Sequence, residues 1–156
     1  MIELRNITSD NFEECIHMEP REDQKSFVAS NVCSLAECYL ALAENDGIPM
    51  PYALYEQDTM VGFLLLVYNL PDEYYDEAVY WICRLMIDKK HQGKGYGKAA
   101  MRKAIELVRT FPHGKAPLIS LSYEPENTVA KALYASLGFV ETGKVIGGED
   151  IAVLKL

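Results

Sequence analysis

Apolar residues recur along the chain with two different periods, and the switches between them predict the order of the elements. Ile2, Leu4 and Ile7, with Glu3 and Arg5 between them, alternate as a half-buried opening strand does. Thr8-Ser9-Asp10 offers caps for a helix whose apolar positions are Phe12, Cys15 and Ile16. Beyond Pro20, the residues Phe27, Val28, Val32, Leu35, Ala36, Tyr39 and Leu40 fall at threes and fours, which predicts helix over roughly 23–44, ended by Asn45-Asp46-Gly47 and Pro49. The pattern then changes to runs. Residues 51–56 and 60–70 predict two strands around the turn Gln57-Asp58-Thr59, and 62–67, apolar on both faces, predicts a central strand.

After an acidic connection over 71–77, Val79, Trp81, Ile82, Leu85, Met86 and Ile87 predict a buried strand over 78–88. A helix follows from near Gly95 to Arg109, then a loop at Phe111-Pro112-His113-Gly114 and a strand over 118–123. Val129, Ala130, Ala132, Leu133 and Leu137 predict a short helix stopped by Gly138, and 139–143 with 150–156 a closing pair of strands. The fold class is α/β (α+β). No repeat, linker or low-complexity segment divides the chain, so a single domain over 1–156 is expected.

Charge narrows the partners. Acidic residues number 23 against 15 basic ones, a formal net charge of -8, which repels nucleic acid and favours cations such as amines. No run reaches the roughly 18 apolar residues of a membrane span, and Met1-Ile2-Glu3-Leu4-Arg5 has no signal-peptide pattern, so neither membrane nor export is expected and the cytoplasm is. Cys15, Cys33, Cys38 and Cys83 make neither C-x-x-C nor a zinc spacing and read as free, mostly interior thiols, with no metal implied.

Between the strand over 78–88 and the helix after it lies Gln92-Gly93-Lys94-Gly95-Tyr96-Gly97-Lys98. Glycine admits positive φ, so successive N–H groups can converge on an anion at the start of the helix, where the dipole adds attraction. A P-loop needs G-x-x-x-x-G-K-[ST], and a dinucleotide fingerprint needs G-x-G-x-x-G in an opening βα unit; neither spacing occurs here. Q-x-x-G-x-G does. It resembles the acetyl-CoA pyrophosphate loop of the Gcn5-related N-acetyltransferases (GNAT). A second block, Asn127-Thr128-Val129-Ala130-Lys131-Ala132-Leu133-Tyr134-Ala135-Ser136-Leu137-Gly138-Phe139, looks like the N-x-x-A-x-x-L-Y-x-x-x-G-F block of the same family, in the expected order. Trp81 to Asp88, the glycine loop and Glu124-Pro125-Glu126-Asn127 are similar to the spermine/spermidine acetyltransferases of the Bacillus type.

The resemblance implies a mixed, mostly antiparallel sheet of six to seven strands flanked by helices, with two parallel strands, 78–88 and 117–123, splayed at the cofactor site. It implies acetyl-CoA as co-substrate, its pantetheine arm along Leu85, Met86 and Ile87, its pyrophosphate over Gln92, Gly93, Lys94, Gly95, Tyr96, Gly97 and Lys98, and a contact from Asn127. It also implies Tyr134 as general acid, a phenol that stays protonated at neutral pH.

Many members of the family carry a carboxylate on the cofactor strand near the reacting amine; here Cys83 and Arg84 stand there, and an arginine cannot act as a base at neutral pH. Water, Glu124 or Glu149 is left for that role. Glu124, Glu149 and Glu19 are the candidate partners of a cationic amine. The expected activity is direct acetyl transfer to a small cationic amine, a polyamine such as spermidine or spermine. An antibiotic-amine or protein N-terminal acetyltransferase and a non-catalytic acyl-CoA-binding module are the alternatives, and a homodimer is left open.

Overall fold

The computed structural model describes residues 1–156. Its elements run β1 (Ile2–Asn6), α1 (Phe12–His17), a 3-10 turn (Glu22–Gln24), α2 (Asn31–Glu44), β2 (Ile48–Glu56), β3 (Thr59–Asn69), β4 (Val79–Ile87), α3 (Tyr96–Val108), β5 (Leu118–Tyr123), α4 (Thr128–Ser136), β6 (Val140–Ile146) and β7 (Glu149–Lys155). The seven strands form one sheet in the order β1-β2-β3-β4-β5-β7-β6. Every neighbouring pair is antiparallel except β4 and β5. This is the mixed, mostly antiparallel sheet flanked by helices that the resemblance implies.

The sheet separates two apolar clusters. On one face α3 buries Ala100, Met101, Ala104, Ile105 and Val108, at helical spacing, against Leu64, Leu66, Tyr80, Ile82, Ile119 and Leu121. On the other, Cys15 of α1 and Cys38 of α2 pack with Phe63, Leu65 and Met86. Residues 63–66 are therefore buried whichever way their side chains point, which is why that run carries no polar alternation. Pro49 and Pro51 sit in the part of β2 that β1 does not reach, so their missing N–H groups cost no ladder bond with β1.

One helix is shorter than its pattern. The expectation of helix over 23–44 is corrected: α2 begins at Asn31, where the Ser30 hydroxyl accepts from the Cys33 N–H at 3.1 Å and caps it. Residues 25–30 are turn and coil, and their apolar Phe27 and Val28 face a cavity and the smaller cluster instead of continuing a helical stripe.

Two features of β4 shape the site. It pairs with β5 only at Tyr80–Ile119, Trp81–Ser120 and Ile82–Leu121, after which the two strands part. Against β3 its register shifts, with Leu65 opposite Arg84 and Leu66 opposite Ile82, so Cys83 is the extra residue of a bulge. The bulge resets the alternation. Leu85 and Ile87 consequently join the larger cluster with Ile82, while Cys83 and Met86 belong to the α1–α2 side.

Candidate active site

A cavity of about 640 Å³ opens where β4 and β5 part. Leu85, Met86 and Ile87 line one wall, Gln92, Gly93, Gly95, Tyr96 and Gly97 the next, and Asn127, Leu133 and Tyr134 of the α4 region a third. Residues 24–29 close the side towards α2. Lys94 and Lys98 lie in the same loop but outside the cavity lining. Glu124 and Glu149 are on the lining; Glu19 is not, and its carboxylate is taken by Lys25 at 3.4 Å and Lys89 at 3.3 Å.

The glycine loop is built as an anion cradle. Gly93 and Gly95 have φ of 77° and 80°, a left-handed conformation that Cβ-bearing residues disfavour, and a Cβ at either would meet nothing within 4 Å, so the space in front of them is open. Gly95 is also the N-cap of α3, with no side-chain cap. The backbone N–H groups of residues 92–98 have no hydrogen-bond partner in the protein. A row of unpaired donors ending on a helix N-terminus is the arrangement that binds phosphate.

The Gln92 side chain is tied into the protein. Its amide nitrogen donates to the Ile87 carbonyl at 2.9 Å and to the Gln24 side-chain oxygen at 2.7 Å. Both hydrogens of that amide are thereby used inside the protein. Just upstream, buried Asp88 accepts from the backbone N–H groups of Glu19 and Lys90, at 3.1 and 3.2 Å.

Tyr134 is fixed by the way α4 ends. Asn127 caps the start, its side chain accepting from the Ala130 N–H at 3.2 Å. At the far end the Phe139 N–H donates to the Tyr134 carbonyl and the Gly138 N–H to that of Ala135, both at 3.1 Å, with Gly138 at φ 96°. That is a Schellman closure, and it explains why Gly-Phe follows the helix. The Tyr134 ring then stands 6.1 Å from that of Phe139 and 5.7 Å from that of Tyr123. Burial, aided by the charge of Glu149, pushes the Tyr134 phenol up from 10.0 to about 12. Burial also raises Tyr123, whose hydroxyl donates to Glu141 at 2.6 Å; that bond and the Lys131 ion pair hold Glu141 below the ordinary carboxylate value.

Arg84 lines the cavity with its guanidinium turned to α2, where one nitrogen meets Glu37 at 3.1 Å and another donates to the Cys83 carbonyl at 2.9 Å. Its Nε is buried with no partner. Glu37, Gln24 and Tyr123 are site neighbours that the sequence did not reveal, since each depends on a contact between residues far apart in the chain.

Burial has a measurable consequence at alkaline pH. Cys15 and Cys83, ordinarily at 9.0, are pushed up by burial to about 11 and about 12, and Tyr134 to about 12. Each favours its protonated form when folded, so its contribution is complete below the unfolded value and is lost as pH climbs towards the folded one. The melting temperature is therefore expected to fall from about pH 9 upward, the thiols leading and Tyr134 joining above about pH 10. A melting temperature unchanged between those two regimes would contradict these burial effects.

The sequence pattern of the acetyltransferase (GNAT) family matches residues 1–139. The spermine/spermidine N(1)-acetyltransferase of Bacillus subtilis strain 168 is 28% identical over 159 aligned residues, spanning 99% of each chain. Among solved structures, an aminoglycoside acetyltransferase in complex with coenzyme A superposes with a TM-score of 0.76 at 18% identity, over 99% of this chain and 95% of that one. A spermidine N-acetyltransferase from Vibrio cholerae, in complex with CoA and spermine, superposes at 0.68 with 20% identity, over 99% and 94%. The splayed parallel pair, the row of unpaired N–H groups and the capped tyrosine helix thus occur in a chain that, along nine-tenths of its length, carries the family pattern. This protein belongs to the acetyltransferase (GNAT) family.

Proposed function

We propose that the protein transfers the acetyl group of acetyl-CoA to a polyamine, with spermidine and spermine as the acceptors. The observation that carries this reading is a pair of carboxylates on the cavity. Glu124 and Glu149 line it and enter no ion pair, whereas Glu19, Glu22, Glu37 and Glu141 are each held by a lysine or arginine. An unpaired carboxylate in a partly enclosed site attracts an ammonium group, and Coulomb's law gives ~4 kcal/mol per close pair at an effective dielectric of 20, before desolvation is subtracted. Relatives named for spermine and spermidine, at 28–29% identity over the full chain, point the same way.

The residues divide the work. The unpaired N–H groups of residues 92–98 hold the pyrophosphate, and β4 beyond Ile82, unpaired on its β5 side, offers Leu85, Met86 and Ile87 to an amide-bearing arm as an absent strand would be offered. Asn127 caps α4 at the cavity wall and is placed to touch the same arm. Bound there, acetyl-CoA supplies an activated thioester carbonyl and a thiolate leaving group. Tyr134, a phenol protonated at physiological pH even without the burial that raises it further, is the proton donor for the sulfur. Glu149, close enough to bear on that phenol, holds the acceptor nitrogen or takes its proton through water, and Glu124 holds a second ammonium. Arg84, neutralised by Glu37, serves neither purpose.

The test compares amines of different charge. Spermidine and spermine are expected to show higher kcat/KM than butylamine, and added salt should narrow the gap. Equal values for butylamine and spermine, or activity confined to an aminoglycoside or a peptide N-terminus, would overturn the polyamine reading and leave the acetyltransferase standing.

A further inference from the structure

The segment over 19–29, whose residues 24–29 form the α2 side of the cavity, has few polar links to hold it. Within it the backbone bonds are local: Gln24 to Arg21, Lys25 to Glu22 and Phe27 to Gln24. Its polar links to the rest of the molecule end in one place. The Lys89 N–H donates to the Glu19 carbonyl at 2.8 Å, the Glu19 N–H to Asp88 at 3.1 Å, Lys89 Nζ to the Glu19 carboxylate at 3.3 Å, and Gln92 to Gln24 at 2.7 Å. Asp88, Lys89 and Gln92 are the residues that lead directly into the cradle of unpaired N–H groups. Of these links the Gln92–Gln24 bond reaches furthest into the cavity wall, for both residues line the cavity and Phe27, Val28 and Ala29 follow Gln24 along it. The same Gln92 nitrogen is anchored to the end of β4 through Ile87.

We infer that Gln24 is a positioning residue for acetyl transfer: by accepting from Gln92 it fastens the acceptor wall to the phosphate loop, so that filling the cradle orders the surface against which the amine is held. Gln24 touches neither reacting group. Its effect passes through the loop, and it belongs to acceptor recognition rather than to chemistry. Because both partners are neutral amides, the link itself contains no titratable group.

The experiment has two arms. In the first, hydrogen exchange is followed with and without coenzyme A in the wild type and in Gln24→Ala. Coenzyme A is expected to slow exchange over both 20–29 and 93–98 in the wild type, and in the variant to slow it only over 93–98. In the second, steady-state kinetics with spermidine should show KM for the amine raised by about fivefold or more in Gln24→Ala, with kcat and KM for acetyl-CoA within about twofold of wild type. Gln24→Glu keeps an accepting oxygen and should restore both results; Gln24→Met keeps the length without the acceptor and takes the place of the alanine variant if that one does not fold. The kinetic arm rests on the polyamine reading, whereas the exchange arm needs coenzyme A alone, so failure of spermidine as an acceptor leaves the inference testable. Protection over 20–29 that persists in Gln24→Ala, or that is missing from the wild type, overturns it. So does an unchanged spermidine KM.

Discussion

Tyr134→Phe is expected to lower turnover by roughly 10- to 1000-fold while acetyl-CoA affinity stays close to that of the wild type. The substitution removes one oxygen and keeps the ring that packs between Tyr123 and Phe139, so the Schellman closure of α4 and the apolar contacts behind it persist. What is lost is the single proton that burial holds on the phenol up to about 12. For the same reason kcat should show no falling limb from Tyr134 until well above pH 10, and any rising limb at lower pH belongs to the amine and its carboxylate partner. Stopped-flow measurement of the transfer step separates chemistry from product release. A variant that transfers acetyl at the wild-type rate would remove Tyr134 from the mechanism.

A second large effect is expected at Gly95. Gly95→Ala introduces a Cβ into open space at φ 80°, so its cost is backbone strain alone, on the order of 1 kcal/mol. Gly95→Glu adds to that strain a negative charge beside the row of unpaired N–H groups, where phosphate oxygens would otherwise sit. Acetyl-CoA affinity should fall by about tenfold or more in the glutamate variant, ~1.4 kcal/mol or beyond, and much less in the alanine variant. Calorimetry on both variants decides the matter. Equal dissociation constants for Gly95→Glu and wild type, with the fold intact, would move the pyrophosphate elsewhere.

What could be read from the chain without its structure follows from the range of the interactions concerned. The glycine loop was legible because positive φ at Gly93 and Gly95 is a local demand that leaves a local mark. The tyrosine helix was legible for a like reason, since Asn127, Gly138 and Phe139 cap it within a dozen residues. The stretch before Asn31 misled because Phe27 and Val28 fall at helical spacing from Val32 and Leu35, while the contacts that hold them come from β4 and the cavity. Period alone does not distinguish a stripe from a wall. The bulge at Cys83 left no mark either: it is a relation between β3 and β4, and it decides which face Arg84 and Leu85 occupy. Gln24 and Gln92, or Arg84 and Glu37, find each other only once the sheet has formed.

The brief contact between β4 and β5 also says how the molecule comes apart. Strands β2, β3 and β4 are joined by consecutive antiparallel pairings, and β5, β7 and β6 by another set, yet the two halves share three ladder positions and are otherwise held by side-chain packing, chiefly beneath α3, and by the tyrosine hydroxyls of Tyr75 and Tyr80. The hairpins β2–β3 and β6–β7 close short loops and can form early, whereas pairing β4 with β5 must wait for the long connection through α3, residues 88–117. The boundary between halves is thus the sparsest seam of the sheet, and it runs through the cavity. A molecule that lies along that boundary acts as mortar: at a concentration one hundred times its dissociation constant it adds about 2.7 kcal/mol to the work of unfolding. In a cell the half-life of the protein, and not only its rate of turnover, would then follow the supply of acetyl-CoA.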